Sequence, residues 1–274
     1  MSNTSGGITS LRMSDGNIVK MEYHDILPST AELARKYAQA GCPDRYVIYT
    51  ENQVSTPFAD IFPKGEDKEH GVFLSCILRP SIFPSQAGFL GIVAGVGLIT
   101  ALEAHTTKEL GIGWVSDVYC DGKKIGAATI EGKLDAFMSY EYIIVNFAAR
   151  LDEENFAPRL GDMIRKVFES ENVSVSMIIA KTILTNFFHL YANLKTPSKY
   201  MDTYLEKFAL RGERIRYRAE DGKYRSCKVL GVQGRDASLL VEDRKGNVVT
   251  LQNRALVRLP KRIHMARKTE KKQT

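Results

Sequence analysis

The chain has 274 residues, of which 44% are hydrophobic and 26% charged, so it can bury a sizeable core and is not predicted to be wholly disordered. Its formal net charge is +6, but the segment from Arg258 to the end carries seven basic residues against one acid and accounts for the entire excess. The body is therefore near neutral, which argues against a nucleic-acid-binding face on it. We predict a solvated, disordered basic tail over residues 261–274, with contact to nucleic acid or an anionic surface as the alternative.

The four cysteines are scattered without a paired spacing, so a structural zinc site is not expected and a reducing, cytoplasmic location is favoured. The first seven residues lack the charged-then-apolar order of a signal peptide. The uncharged stretch Pro80–Leu102 contains two prolines and four glycines, and its densest part, Phe89–Leu102, is too short to span a membrane. We expect a buried core helix there, with glycines that permit close helix packing, and no membrane partner.

In chain order, the first predicted helix follows Ser29-Thr30, which supply a cap, and ends at Gly41. The segment Asn52–Gly71 has no periodicity and is predicted to be a long loop, of the length that often forms a lid or binding loop. Helical patterning dominates from Phe156 to Phe208. The extended segments predicted in this part of the chain are Thr9–Tyr23, Arg45–Tyr49, Val72–Leu78, Gly113–Tyr119, Lys124–Glu131 and Glu141–Ala148, with a hairpin turn centred on Asp121-Gly122 between the fourth and fifth.

The pattern changes after Leu210, where short strands alternate with turns rich in glycine and aspartate. The predicted strands are Arg214–Arg218, Arg225–Val232, Ala237–Asp243 and Val248–Gln252. Closely spaced strands with such turns indicate a small barrel of roughly fifty residues. We predict that this barrel is a separate domain.

Four features, in the same order along the chain, resemble the biotin–protein ligases. The segment Trp114–Ala127 is similar to the central hairpin of that family, which reads lysine-Trp-Pro-Asn-Asp, a turn and then a lysine. Ser29-Thr30 resembles its Ser-Thr-Asn segment, and Gly71–Pro80 resembles the strand after its nucleotide loop. The barrel lies where the bacterial enzymes carry an SH3-like domain, whereas no helix-turn-helix precedes the core, so a repressor function is not implied.

The resemblance implies an α+β fold, in which a mixed β-sheet with flanking helices (biotin/lipoate ligase-like) occupies residues 1–209 and a small SH3-like β-barrel occupies residues 210–260. It also implies a reaction: ATP activates biotin, or a related small carboxylic acid, as an acyl-adenylate, and a lysine of a biotin carboxyl carrier-type protein then takes the acyl group. The expected substrates are ATP with magnesium and biotin, and the protein is expected to be a monomer or a homodimer.

The resemblance assigns individual residues. Lys124 aligns with the catalytic lysine that holds the carboxylate and the phosphate, and Asp117 with the acid that supports magnesium, a role suited to a hard oxygen ligand. The remaining assignments are Ser29, Thr30, Gln53 and Gly126 for the acid, and Trp114, Ser116 and Asn146 for the nucleotide and magnesium. From the residues alone, Lys124 would be a solvated turn lysine and Asp117 a strand-end acid. Likewise, Ser29 or Thr30 would be helix caps and Gln53 a loop residue.

The departures from the family cluster at the ATP site. The family's nucleotide loop reads Gly-Arg-Gly-Arg-x-Gly-Arg, whereas Glu51–Gly71 here carries five acids and two lysines, for a net charge of −3. Three further positions differ, at Ala31, Gly113 and Val115-Ser116. Because a charge-assisted contact contributes roughly 1.5–3 kcal/mol, losing two or three arginines would remove several kcal/mol of binding.

Four functions therefore stay open at this point. The chain is a divergent ligase for biotin, a variant that uses lipoate or octanoate, or a module that keeps the fold for binding or regulation without adenylation. The fourth, a nucleic-acid-binding protein, rests on basic residues of the barrel interleaved with Tyr217 and Tyr224. Nucleic acid is not an expected partner, because barrel surfaces of this kind are more often merely solvated.

Overall fold

The computed structural model describes residues 7–55, 58, 61–62, 69–151, 174–234, 237–260 and 262–263. Part of the predicted helical region, residues 156–173, and nearly all of the predicted basic tail lie outside the described residues. Within the described part of the chain, no helix is both long and apolar enough to cross a membrane.

One mixed sheet of eight strands forms the body of the molecule. Its strands are β1 (Gly7–Arg12), β2 (Ile18–His24), β3 (Tyr46–Gln53), β4 (Glu69–Leu78), β5 (Leu110–Gly113), β6 (Asp117–Cys120), β7 (Lys123–Leu134) and β8 (Tyr140–Ala149). They lie in the order β1-β2-β3-β4-β8-β7-β6-β5, in which β2 and β3 pair in parallel and the other neighbours pair antiparallel. The long strand β7 therefore lies between β8 and β6, inside the half of the sheet formed by β5 to β8.

Helices cover both faces of this sheet. In the described part of the chain they are α1 (Thr30–Gln39), α2 (Ala87–Glu103), α3 (Val175–Tyr191) and α4 (Met201–Lys207). Helix α1 packs on a small cluster that contains Ile48, Ile77 and Ile144, and α2 and α3 pack within the main core on the other side. A Cβ atom at Gly97 would lie 3.0 Å from the Cα atom of Phe187, so the prediction of close helix packing is confirmed at Gly97.

For the central hairpin, the predicted turn is confirmed and the predicted first strand is wrong. Asp121 and Gly122 both have positive φ, at 48° and 75°, as a two-residue hairpin turn requires. The predicted strand Gly113–Tyr119 is instead divided, because β5 ends at Gly113 and β6 begins at Asp117. The side chains of Trp114 and Ser116 in the interruption each donate a hydrogen bond to a backbone carbonyl elsewhere, outside the pairing of β5 with β6.

A second, five-stranded antiparallel sheet follows. Its strands are β9 (Arg214–Arg218), β10 (Tyr224–Val232), β11 (Leu239–Glu242), β12 (Val248–Leu251) and β13 (Val257–Arg258), in the order β12-β11-β10-β9-β13. The α+β fold class with a second small β-unit is therefore confirmed. The main hydrophobic core runs without interruption from Trp114 in the body to Cys227 and Val241 in this unit, so the boundary at residue 210 stays a prediction.

Candidate active site

A cavity of about 710 Å³ opens where the body meets the C-terminal unit. Its walls come from the start of α2, the interruption before β6, strand β7 and the segment after β12. The described lining residues are Phe58, Ala87, Gly88, Gly91, Val115, Ser116, Asp117, Lys124, Ala127, Ala128, Thr129, Ile130, Gln252 and Arg254. The lining is thus largely small and apolar, with charged groups contributed by Asp117, Lys124 and Arg254.

These three residues form a charged cluster around one carboxylate. The Nζ atom of Lys124 lies 3.0 Å from Oδ1 of Asp117, and a guanidinium nitrogen of Arg254 lies 3.1 Å from Oδ2. The side chain of Asp117 is 9% exposed and that of Lys124 is 12% exposed, so solvent screens this pair weakly. Two cations therefore share the carboxylate of Asp117.

Local structure explains why Asp117 and Lys124 meet. Asp117 opens β6 and Lys124 is the second residue of β7, so the tight hairpin brings them to adjacent strands. The register shifts between Val118 and Tyr119, where Val118 pairs with Gly126 but Tyr119 pairs with Lys124. A β-bulge of this kind re-aims a side chain, which is a common device beside functional sites.

Arg254 is the site residue that sequence reasoning missed. It lies in a short 3₁₀ turn, Arg254–Leu256, after β12 and 137 positions from its partner Asp117. Another guanidinium nitrogen donates to the carbonyl of Val257 at 2.8 Å, which fixes the direction of the side chain. No local motif surrounds Arg254, so only the packing of the C-terminal unit against the body reveals it.

Tyr204 of α4 lies beside the charged cluster. Its side chain is fully buried, and its hydroxyl has no hydrogen-bond partner among the described residues. Burial, and next the carboxylate of Asp117, raise the pKa of this phenol well above its ordinary value, whereas Arg254 acts in the opposite direction. The phenol is therefore protonated at neutral pH and adds no negative charge to the site.

Ser116 and Trp114 support the wall of the cavity in different ways. The Ser116 hydroxyl, which lines the cavity, donates to the carbonyl of Ala128 at 2.7 Å. The indole of Trp114 is 1% exposed and donates to the carbonyl of Ala237 at 2.9 Å. Trp114 is outside the described cavity lining and instead joins the body to the C-terminal unit.

A second group, the polar network, is buried nearby and consists of Thr30, Gln53, Ser75 and Asn146. The amide oxygen of Gln53 accepts from the backbone N–H of Thr30 at 2.8 Å and from its hydroxyl at 3.1 Å. The Ser75 hydroxyl lies 2.9 Å from the Thr30 hydroxyl and 2.7 Å from the amide oxygen of Asn146. The polar network therefore satisfies many of its polar atoms internally.

Asn146 connects the polar network to the cavity. Its amide nitrogen lies 3.5 Å from the hydroxyl of Thr129, which lines the cavity, and 3.3 Å from a carboxylate oxygen of Glu131. The other carboxylate oxygen of Glu131 accepts from Arg35 of α1 at 2.7 Å. The polar network thus reaches the cavity lining at Thr129.

The structure therefore divides the residues assigned from the sequence. Lys124, Asp117 and Ser116 meet at the cavity, and Thr30, Gln53 and Asn146 meet in the polar network. Ser29 caps α1, because its hydroxyl accepts from the N–H of Glu32 at 3.3 Å. Gly126 is outside the described lining, and a Cβ atom there would lie 3.3 Å from the carbonyl oxygen of Ala148.

Between residues 56 and 68, before β4, the described residues are apolar, whereas the resemblance predicts a glycine- and arginine-rich loop. Its described residues Phe58, Ile61 and Phe62 are all buried and pack on a cluster that includes Phe73 and Ala148. The rings of Phe62 and Phe73 stack with centroids 5.0 Å apart. The acid-rich part, residues 63–68, lies outside the described residues.

Among the described residues there is no group of three or more histidines, cysteines, aspartates or glutamates that could hold a metal ion. In the structure as described, Asp117 engages a cation through each of its two carboxylate oxygens. Magnesium at Asp117 would therefore require one of these ion pairs to open.

Comparison with known proteins identifies the fold. No family model matches the chain. The bifunctional ligase/repressor BirA of Bacillus subtilis is 24% identical over 234 residues, which cover 82% of this chain and 70% of the relative. The BirA of Bacillus spizizenii matches over the same length at the same identity.

Solved structures agree with these relatives. The biotin protein ligase of Aquifex aeolicus has a TM-score of 0.60 at 16% identity, covering 88% of this chain and 97% of that one. Its complex with biotin and ATP has a TM-score of 0.58 at 17% identity, covering 87% and 97%. A biotin protein ligase-like protein of unknown function from Silicibacter has a TM-score of 0.59 at 17% identity, covering 89% and 96%. The chain therefore has the biotin protein ligase fold.

Proposed function

We propose that this chain, which is a divergent biotin protein ligase-like protein, activates a carboxylic acid with ATP and transfers the acyl group to a lysine of an acceptor protein. The observation that carries the proposal is the pairing of Lys124 with Asp117 in the wall of a cavity. This ion pair lies in the hairpin where the resemblance assigns the catalytic lysine. Biotin is the proposed acid, because a relative of the same fold has been solved in complex with biotin and ATP.

The first step joins two anions. A carboxylate oxygen of the acid attacks the α-phosphorus of ATP, the bond from that phosphorus to the bridging oxygen breaks, and pyrophosphate leaves. Lys124 places a fixed positive charge where the carboxylate and the phosphate must approach each other, which lowers their mutual repulsion. Magnesium is proposed to enter with ATP as part of the substrate.

The second step uses the acceptor protein. The unprotonated ε-amine of the acceptor lysine attacks the acyl carbon of the adenylate, the nitrogen loses one proton to solvent as the amide forms, and AMP leaves with the former carboxylate oxygen. We propose that the acid lies along β7, with its carboxylate at Lys124 and its far end towards Thr129, where the polar network begins. The acid-binding roles of Ser29, Thr30, Gln53 and Gly126 stay predictions, as do the nucleotide roles of Trp114, Ser116 and Asn146.

A carrier protein of the biotin carboxyl type is the proposed acceptor, and the reducing cytoplasm is the proposed location. All four cysteines are free thiols, and three of them are buried. This state is compatible with a reducing compartment.

Acid-dependent exchange of labelled pyrophosphate into ATP tests the proposal, with biotin, lipoate and octanoate assayed in parallel. Exchange with one acid that is lost in Lys124→Ala would support an adenylating enzyme. Folded protein that shows no exchange with any of the three acids would contradict it.

A module that binds the acid without adenylating it is the second candidate. The apolar packing of Phe58, Ile61 and Phe62, in place of a loop rich in arginine, favours it. Saturable binding of biotin, measured by calorimetry, together with an absence of pyrophosphate exchange would establish this alternative.

A further inference from the structure

The charge of the chain is unevenly divided along the sequence. Residues 210–260, which include the C-terminal unit, contain twelve basic and six acidic residues, for a net charge of +6. Residues 1–209 contain twenty basic and twenty-five acidic residues, for a net charge of −5. The near-neutral total before Arg258 therefore combines an acidic body with a strongly basic C-terminal unit. Such an asymmetry is typical of a unit that contacts a polyanion.

The strand register places five of these basic residues on one side of the second sheet. In β9, the exposed residues Arg214, Arg216 and Arg218 alternate with buried ones. The exposed Arg258 of β13 lies opposite Arg216, and the exposed Lys228 of β10 lies opposite Arg214. Because residues that pair directly across two strands point to the same side of a sheet, the five side chains share a surface, which we call the basic face. None of them is in the described lining of the candidate active site.

Little negative charge offsets the basic face. Among the described strand residues that point to this side of the sheet, Glu242 is the one acid, and it lies opposite Lys228. Within the described part of the chain, the arginines of the basic face form no ion pair with an acid. Like charges placed directly opposite each other, such as Arg216 and Arg258, destabilise a sheet. The stability of the fold therefore does not explain this arrangement.

An aromatic ring lies among the guanidinium groups. The guanidinium carbon of Arg258 lies 4.0 Å from the ring centroid of Tyr224, and that of Arg216 lies 5.6 Å from it. Tyr217, the other tyrosine of these strands, is 8% exposed and faces the core. Cation–π attraction to Tyr224 holds both guanidinium groups in place. Unpaired bases stack on aromatic rings and on guanidinium planes, and a guanidinium also binds phosphate through paired N–H donors.

We propose that the basic face binds single-stranded nucleic acid. The arginines of β9 recur at every second residue, about 7 Å apart along the strand, which suits a ligand with regularly repeated anionic groups better than a single anion. A sheet face presents no helix to enter the major groove of a duplex, whereas the sheet faces of some small β-barrels bind oligonucleotides. A merely solvated surface, which the sequence alone favours, leaves the opposed like charges unexplained.

Titration of the full chain with fluorescein-labelled oligodeoxythymidylate and oligouridylate, followed by fluorescence anisotropy, tests the proposal. We expect the logarithm of the binding constant to fall linearly with the logarithm of the salt concentration. The double variant Arg214→Gln/Arg216→Gln should bind about tenfold to a hundredfold more weakly. The salt slope should become shallower by about 1.4, because each phosphate contact to a single strand contributes about 0.7.

Two further variants make the test specific. Arg225→Gln is the matched control, because it removes the same charge from the same unit, at an exposed arginine that is paired with Asp221 at 3.1 Å and lies off the basic face. It should bind both oligonucleotides within twofold of the wild-type chain. Tyr224→Leu removes the ring and no charge, so it should weaken binding by about threefold to tenfold with the salt slope unchanged.

Several outcomes would overturn the proposal. Wild-type affinity in the double variant, shown by circular dichroism to be folded, would assign any binding to another part of the chain. An equal loss of affinity in Arg225→Gln would reduce the effect to net charge. Tighter binding of a DNA duplex than of either single strand would exclude the proposed ligand. So would a chain that binds neither oligonucleotide but binds phosphatidylserine vesicles or polyglutamate.

Discussion

The polar network contacts the cavity lining at Thr129, and the charged cluster belongs to the same lining, yet their polar groups have opposite kinds of partners. In the polar network, Thr30, Gln53, Ser75 and Asn146 are buried and bind one another. In the charged cluster, two cations share one carboxylate and face a cavity. A buried group whose hydrogen bonds are satisfied internally stabilises the fold, whereas uncompensated charge at a cavity is available to a ligand. We therefore expect changes in the polar network to alter stability and changes in the charged cluster to alter activity.

Lys124→Ala should give the largest effect. Removing the cation at the reacting groups is expected to lower the rate of pyrophosphate exchange by about a thousandfold, as loss of a preorganised charge typically does. Lys123→Ala is the matched control, because Lys123 is the exposed neighbour in the same strand and is outside the described cavity lining, and it should retain the wild-type rate within twofold. Equal rates for the two variants would remove Lys124 from the site.

Gln53→Ala should act on stability. The amide oxygen of Gln53 accepts two hydrogen bonds from Thr30, so its removal leaves a buried N–H and a buried hydroxyl without that acceptor. We expect the free energy of unfolding in urea to fall by about 1–3 kcal/mol, while the KM for ATP changes less than twofold. An unchanged urea midpoint would show that the polar network is not the stabilising group we describe.

Thr129→Val tests the place where the polar network reaches the cavity. The substitution preserves the shape of an exposed side chain and removes the hydroxyl that lines the cavity. We expect the KM for the acid to rise about threefold to tenfold, with the KM for ATP and the urea midpoint unchanged. An unchanged KM for the acid would place the far end of the acid away from Thr129.

Tyr204→Phe should give the smallest effect. The hydroxyl makes no hydrogen bond to the described residues, so its removal breaks no hydrogen bond to them. The free energy of unfolding should stay the same or rise by up to about 1 kcal/mol, because a buried hydroxyl without a partner is itself destabilising. If the free energy of unfolding fell by about 1 kcal/mol or more, the phenol would have a hydrogen-bond partner outside the described residues.

The features that the sequence predicted correctly are those set by interactions between residues close together in the chain. The Asp121-Gly122 turn, the cap at Ser29 and the strand Arg214–Arg218 follow from short-range preferences and are confirmed within a residue or two. Asp117 and Lys124 are close in sequence, and the hairpin brings their side chains together.

Long-range contacts explain what the sequence did not predict. Arg254 reaches Asp117 across 137 positions, through packing that no local pattern encodes. The division of the predicted strand at Trp114 has a similar origin, because the indole binds the carbonyl of Ala237 in the C-terminal unit. Tertiary partners overrode local strand preference at this position.

The glycines of α2 also set the dimensions of the cavity. A Cβ atom at Gly91 would lie 2.8 Å from a methyl carbon of Val115, and one at Gly95 would lie 2.9 Å from the Cα atom of Ser116. Because glycine has no side chain, α2 packs directly against Val115 and Ser116, the two residues that precede Asp117. A single methyl group at Gly95 would push the segment before Asp117 away from the helix and displace the carboxylate that both cations contact.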